Sequence, residues 1–114
     1  MRKGMMLAAA TMSLALAAPA HASAHANTMV SSYYWQGKQT ATGEHYNSEG
    51  LTAAHKTLPF GTRLRVTYKG KSVVVRVNDR GPFIKGRQLD LSRGAARQLG
   101  MLNAGVAAVQ VDVI

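Results

Sequence analysis

The sequence predicts a mainly β fold, a small closed barrel with one short helix. Apolar and polar residues alternate from Arg63 to Tyr68 and again from Ser72 to Asn78, on either side of Lys69-Gly70. This period of two is typical of half-buried strands, and the glycine between the two runs indicates a hairpin turn. A third alternating run, Val106 to Ile114, ends the chain. Several short strands and one short helix in a small domain suggest a closed barrel, whose lack of exposed strand edges is useful in a chain without cysteine.

Residues 1–22 are expected to be an export signal rather than part of the fold. Two cations precede an uncharged apolar run from Met5 to Ala18, and A-x-A cleavage sites end at Ala22 and Ala26. This order of features is typical of a secretory signal peptide. We place cleavage after Ala22, with Ala26 as the alternative. A membrane anchor would need a longer apolar span, and no lipidation cysteine follows.

The remaining domain, residues 23–114, is strongly basic. The whole chain has a formal net charge of +9, and without the two cations of the signal the charge is +7. Basic domains usually bind nucleic acid, but an exported protein meets anionic envelope polymers instead. We therefore expect a periplasmic or secreted monomer without a membrane anchor, whose partner is an anionic envelope polymer (the stem-peptide carboxylates of peptidoglycan, or lipid phosphates) and not nucleic acid.

The first half of this domain predicts one strand, a long loop and a short apolar segment. Val30 to Trp35 is rich in β-formers, and the polar stretch from Gln36 to Gly50 contains three glycines. Leu51 to Ala54 is a short apolar run, and Leu58-Pro59-Phe60-Gly61 ends it as a turn.

The second half predicts a sharp break followed by a strand and a helix. The segment Asn78-Asp79-Arg80-Gly81-Pro82 interrupts the strand before it, because Gly and Pro cannot extend a central ladder. Gln88 to Leu91 is a short strand candidate. Ser92 can cap a helix from Arg93 to Leu99, and Gly100 can end it.

The domain offers few groups for acid–base chemistry. Its five carboxylates are Glu44, Glu49, Asp79, Asp90 and Asp112. We expect Glu49 and Asp112 to be solvated surface charges. Asp79 stands where a strand meets a Gly-Pro turn, a position from which side chains commonly line sites. Asp90 is a lone charge between two leucines, and its alternative role is to accept backbone hydrogen bonds near Ser92.

His45 and His55 are the histidines of this domain. Without cysteine or tight ligand spacing they make a weak metal site, so we expect neither a metal nor another cofactor. The small apolar neighbours of His55 favour a hydrogen-bonding or proton-relay residue at a packed cleft wall.

Aromatic residues cluster near the start of the domain, where they suit the binding of sugar rings. They are Tyr33, Tyr34, Trp35 and Tyr46. Core packing is the simpler expectation for Tyr33 or Trp35. At least one of Tyr34 and Tyr46 should then face outward.

Five segments of the chain together resemble the catalytic domain of the rare lipoprotein A (RlpA) family. They include "TAAHKTLPFGT" and "VNDRGPF", in that order, and the segments are residues 32–34, 40–47, 51–62, 75–83 and 89–92. The resemblance implies a six-stranded double-psi β-barrel. It also implies endolytic peptidoglycan lytic transglycosylase activity on glycan strands that lack stem peptides.

The resemblance also implies which residues act. The functional residues of the family fall on Glu44, His55 and Asp79, while Asp90 matches an aspartate of related glycan-active barrels such as expansins. Candidate substrate-binding residues are Tyr34, Tyr46, Asn78 and Arg80.

A lytic transglycosylase needs one carboxyl group that acts as acid and then as base, and the pKa of that group must be raised. Asp90 lies between leucines, whereas Arg76 and Arg80 would lower the pKa of Asp79 if they pointed at it. The sequence leaves open whether Asp79 or Asp90 is the acid. We expect Glu44 and His55 to position the substrate or to share the proton. A non-catalytic, expansin-like glycan-binding module is the alternative function, and an inhibitor or structural domain is a weaker third.

Overall fold

The computed structural model describes residues 26–37 and 39–114, so the expected signal peptide at residues 1–22 lies outside the described residues. No helix in this part of the chain is long and apolar enough to cross a membrane. Along the chain, the elements are β1 (Ala26–Tyr34), β2 (Thr52–His55), β3 (Arg63–Tyr68), β4 (Lys71–Asp79), β5 (Leu89–Ser92), α1 (Arg93–Leu99) and β6 (Ala107–Val113).

Within the described residues, six strands close into the predicted barrel. Their order around the barrel is β1, β5, β2, β4, β3 and β6, with β6 returning to β1. The pairs β1–β5 and β2–β4 are parallel, and the other four are antiparallel. Strand β2 therefore lies between β5 and β4, which brings distant parts of the sequence side by side.

The predicted hairpin is confirmed as β3 and β4. Leu64 pairs with Val75 and Val66 with Val73, and all four side chains are buried. The alternation in the sequence thus marks the core face of the barrel. The buried core consists of Ala53, Leu64, Val66, Val73, Val75, Val77, Leu89, Leu91, Ala95, Ala96, Leu99, Met101, Val109 and Val111.

The helix α1 has the predicted bounds and caps. The Ser92 side chain accepts a hydrogen bond from the Ala95 N–H at 3.2 Å, which satisfies one of the free donors of the first turn. Gly100 adopts φ +74° and donates its N–H to the Ala96 and Arg97 carbonyls. Glycine suits this left-handed position because it has no Cβ.

Strand β4 ends at Asp79, just before the Gly-Pro turn that was expected to end it, and this end is paired with β2 across a register shift between Ala53 and Ala54. One expectation about local structure was wrong. Trp35 lies beyond β1 and is 62% exposed, whereas Tyr33 packs against the core. The strand alternation that buries Tyr33 ends before Trp35.

Candidate active site

Two aspartates lie in one row of the barrel wall. Ala54, on the central strand β2, pairs with Asp90 of β5 on one side and with Asp79 of β4 on the other. Because neighbouring strands are about 4.8 Å apart, the two aspartate backbones are about 10 Å apart. The methyl side chain of Ala54 leaves the space between the two carboxylates open.

This row forms the floor of a cleft of about 290 Å³. The cleft is lined by Tyr34, Gln36, Gly37, Gln39, Tyr46, Ala54, Asp79, Arg80, Gly81, Pro82, Phe83 and Asp90. A larger groove of about 450 Å³ lies elsewhere, along Thr28, residues 67–70 and residues 108–110. That groove contains neither a carboxylate nor a histidine, so the acid–base chemistry belongs to the smaller cleft.

Asp90 is a largely buried carboxyl group with one oxygen held in place. The hydroxyl of Ser32, its partner in the parallel β1–β5 pair, donates to Oδ1 at 3.0 Å. Burial raises the pKa of Asp90 to about 6, and the charge of Asp79 adds to this. The Ser32 hydrogen bond and the charge of Arg87 lower the pKa and only partly offset burial. Asp90 therefore holds a proton at a pH where an ordinary aspartate is fully ionised.

Asp79 is instead surrounded by hydrogen-bond donors. Its Oδ1 accepts the N–H groups of Ala41 at 2.9 Å and Arg80 at 2.8 Å, and its Oδ2 accepts the Tyr34 hydroxyl at 3.2 Å. An ionised carboxylate has only acceptors, and this arrangement suits it. Asp79 also joins the loop that contains Ala41 to the end of β4.

Arg76 and Arg80 are close to Asp79 in sequence, but neither directs its guanidinium group at the Asp79 carboxylate. The Arg80 guanidinium donates to the carbonyls of His55 at 3.1 Å and Leu58 at 2.8 Å. It also lies 3.9 Å from the centre of the Phe60 ring, a cation–π contact. Arg80 lines the cleft, but its charged group fastens the turn after β2.

Glu44 is placed outside the cleft. Both of its carboxylate oxygens accept from Arg76, at 3.0 and 2.7 Å, and Asn78 donates to Oε1 at 3.2 Å. The hydrogen bonds from Arg76 and Asn78 lower the pKa of Glu44. Asn78 is 2% exposed and does not line the cleft. The contact between Glu44 and Asn78 therefore anchors the loop between β1 and β2 to strand β4.

His55 also lies away from the cleft. It pairs with Leu89, whose side chain is in the core, one position beyond the pair of Ala54 with Asp90. Its Nδ1 accepts the N–H groups of Thr57 and Leu58, each at 3.1 Å. Burial, followed by the positive charges nearby, lowers the pKa of His55. Within the described residues no three His, Asp or Glu side chains group closely enough to hold a metal ion.

The tyrosines Tyr34 and Tyr46 stack on each other at the cleft. Their ring centres are 4.6 Å apart and the planes differ by 16°. The Tyr46 hydroxyl donates to the Tyr34 carbonyl at 2.6 Å, and only 7% of Tyr46 is exposed. Burial raises the pKa of Tyr34, which keeps its hydroxyl protonated to donate to Asp79. Both tyrosines line the cleft; Tyr34 is the more exposed of the two, as expected for one of the pair, and the nearly buried Tyr46 packs against its ring.

Two residues of this site were missed by the sequence analysis. Ser32 is two positions before Tyr34, so the alternation of β1 places both side chains on one face, a signal that was present in the sequence. Phe83 lines the cleft, a position that depends on the fold and not on any local pattern.

The sequence model of the lytic transglycolase family matches residues 26–111 of this chain. An RlpA relative from Nostoc sp. is 62% identical over 80 residues, which are 68% of this chain and 22% of the relative. The endolytic peptidoglycan transglycosylase RlpA of Pasteurella multocida is 47% identical over 98 residues, 82% of this chain and 33% of that protein. The chain thus spans between about a fifth and a third of these relatives.

Solved structures are similar to this barrel at low sequence identity. The Streptomyces papain inhibitor matches with a TM-score of 0.67 and 23% identity, over 78% of this chain and 94% of that protein. A Clavibacter michiganensis expansin variant in complex with cellohexaose matches with a TM-score of 0.65 and 22% identity, over 78% and 50%. With the family match, these likenesses show that the barrel is of the double-psi type, as the resemblance implied.

Proposed function

Because this chain belongs to the lytic transglycolase family, we propose that it is an endolytic peptidoglycan lytic transglycosylase. Its substrate would be naked glycan strands, cut between MurNAc and GlcNAc to leave 1,6-anhydroMurNAc ends. Curated RlpA relatives are named endolytic peptidoglycan transglycosylases. The arrangement of Asp90 and Asp79 in the cleft supports the same chemistry for this domain.

The proposed reaction requires a single acid that afterwards acts as a base. A carboxyl group donates its proton to the glycosidic oxygen, and the bond from that oxygen to C1 of MurNAc breaks. The C6 hydroxyl of the same sugar then attacks C1 and gives its proton to the carboxylate. One carboxyl group is therefore sufficient and no water is consumed, in contrast to the paired carboxylates of ordinary glycosidases.

The observation that carries the proposal is the environment of Asp90. Its pKa is raised to about 6 by burial, so it keeps a useful fraction of its proton near neutral pH. Ser32 holds Oδ1, and no described residue bonds to Oδ2. The free oxygen is the one that can reach the glycosidic oxygen of a strand lying in the cleft.

Asp79 is suited to a supporting electrostatic role. Its carboxylate is fixed by three donors, on the other side of Ala54 from Asp90. Positive charge develops at C1 of the sugar as the bond breaks, and a fixed negative charge nearby stabilises it. Asp79 thus acts as an acceptor throughout, while Asp90 gives up and regains a proton.

The site of action is part of the proposal. An exported, basic domain would meet peptidoglycan in the periplasm or outside the cell, and its positive charge would attract the anionic wall.

Glu44 and His55 do not line the cleft. Their roles are therefore indirect: Glu44 holds the loop before β2, and His55 holds the turn after β2.

A non-catalytic glycan-binding module is the second candidate. It is favoured by the structural likeness to an expansin whose structure contains cellohexaose. Such a module would use the same cleft without cleaving a bond.

Digestion of purified naked glycan strands in H₂¹⁸O separates these possibilities by mass spectrometry. The proposed activity gives 1,6-anhydroMurNAc ends that contain no ¹⁸O. Reducing ends labelled with ¹⁸O would show a hydrolase instead. Intact strands that nevertheless bind the protein would show the binding module.

A further inference from the structure

The cleft has one widely exposed aromatic ring, Phe83, among the described residues that line it. Phe83 is 81% exposed, in contrast to Tyr46 at 7%. Tyr34 is half-buried and stacked against Tyr46. The tyrosine pair therefore offers little free ring surface, and the available aromatic face at the cleft belongs to Phe83.

One edge of the Phe83 ring lies close to the position that a side chain at Gly81 would take. A Cβ atom added to Gly81 would lie 3.5 Å from Cε2 and 3.6 Å from Cδ2 of Phe83. Gly81 has a φ of +122°, a conformation that residues with side chains rarely adopt. One edge of the ring thus lies near a turn that requires glycine, while most of the ring surface is open to solvent.

We propose that Phe83 is a stacking platform for a pyranose ring of the glycan strand. This inference rests on the proposed function, because it concerns the same cleft and the same polymer. The axial C–H groups of a β-linked sugar form an apolar face that packs on an aromatic ring, and this contact removes exposed apolar surface from water. Phe83 lines the same cleft as Asp79 and Asp90, so a sugar on Phe83 would belong to the strand that is cleaved there.

The neighbouring residue provides a matched control. Ile84 is also apolar and 53% exposed, but it does not line the cleft and has no flat face. If exposed apolar surface alone determined the affinity for glycan, Ile84 and Phe83 would contribute to it equally. If stacking determines the affinity, only Phe83 would contribute, and a tyrosine at position 83 would bind as well as the phenylalanine.

Binding of naked glycan strands is measured first, in the D90N background so that no cleavage occurs. We expect F83A to weaken binding about tenfold, I84A to leave it unchanged and F83Y to restore it. In the cleaving enzyme, F83A should raise KM while kcat and the pH profile stay as they are. The stacking role of Phe83 would be contradicted if F83A bound glycan as tightly as the D90N protein without it. It would also be contradicted if I84A lost as much affinity as F83A.

The outcomes for this inference and for the proposed function are distinguishable. A parent protein that binds glycan without cleaving it, and loses binding in F83A, contradicts the proposed function and supports the platform. A protein that cleaves glycan with the same KM in F83A contradicts the platform and supports the proposed function.

Discussion

The Oγ atom of Ser32 donates a 3.0 Å hydrogen bond to Oδ1 of Asp90, across the parallel strand pair in which the two residues are in register. Ser32 is 6% exposed, so the donor of this bond is shielded from water. It fixes the orientation of the carboxyl group and favours its ionised form. The serine thus limits how far burial can raise the pKa of Asp90.

This relationship predicts the pH dependence of activity. Because Asp90 must be protonated to act as the acid, kcat/KM should fall as the pH rises through about 6. Removing the donor in S32A should move this fall to higher pH. The matched control is S31A, because the Ser31 hydroxyl donates to a backbone carbonyl and does not contact Asp90. Profiles of S32A and the parent that coincide would contradict this role of Ser32.

A second prediction concerns stability and tests the pKa of Asp90 without any substrate. Folding raises the pKa of Asp90 from 3.8 to about 6, so between these values the unfolded chain binds fewer protons than the folded one. The contribution of Asp90 to the free energy of unfolding therefore falls as the pH rises through this window. The D90N variant does not titrate, so relative to the parent it should be more stable at pH 7.5 than at pH 3.5. Urea unfolding at both pH values measures the difference, and an equal difference at both would refute the raised pKa.

A third prediction concerns the imidazole of His55. Its Nδ1 accepts two backbone N–H groups, so the neutral ring should have its proton on Nε2. Burial lowers the pKa of His55, and the ring should stay neutral below pH 6.5, the ordinary value. Long-range ¹H–¹⁵N NMR spectra report the tautomer and the titration directly. A proton on Nδ1 at neutral pH would contradict the role of this nitrogen as the acceptor of the two N–H groups.

A fourth prediction concerns the contact between α1 and the loop before β2. Gly94 donates its N–H to the Ser48 carbonyl at 2.8 Å, and a Cβ added to it would lie 2.6 Å from the Glu49 carbonyl oxygen. The G94A variant should lose about 1–3 kcal/mol of the free energy of unfolding because the loop must shift. The control is G105N, since Gly105 has open space around it and asparagine tolerates its positive φ. Similar losses in both variants, measured by urea unfolding, would show that the close contact is unimportant.

The sequence predicted the elements whose determinants are local. Helix α1 begins after Ser92 and ends before Gly100, since both caps act within a few residues. The β3–β4 hairpin follows from alternation and one glycine turn. The barrel itself was anticipated from such elements, and its double-psi type came from the family motifs.

The arrangement of the site depends on contacts that are distant in sequence. The register shift between Ala53 and Ala54 pairs Ala54 with Asp79, which lines the cleft. No local sequence pattern predicts this shift. His55 was expected at the cleft wall, but its pairing with Leu89 places it on the other face. The sequence left the choice between Asp79 and Asp90 as the acid open, and their burial and hydrogen-bond partners in the fold distinguish them.

The most direct test of the account measures 1,6-anhydro-muropeptides released from naked glycan strands by the parent protein, D90N and D112N. Asparagine keeps the shape of Asp90 and its bond to Ser32 but cannot donate the catalytic proton. We expect D90N to remain folded and to lose about 10²–10⁴ in rate, while D112N, altered on β6 away from the cleft, releases products like the parent. Anhydro ends produced by D90N at the rate of the parent would contradict the assignment of Asp90 as the acid.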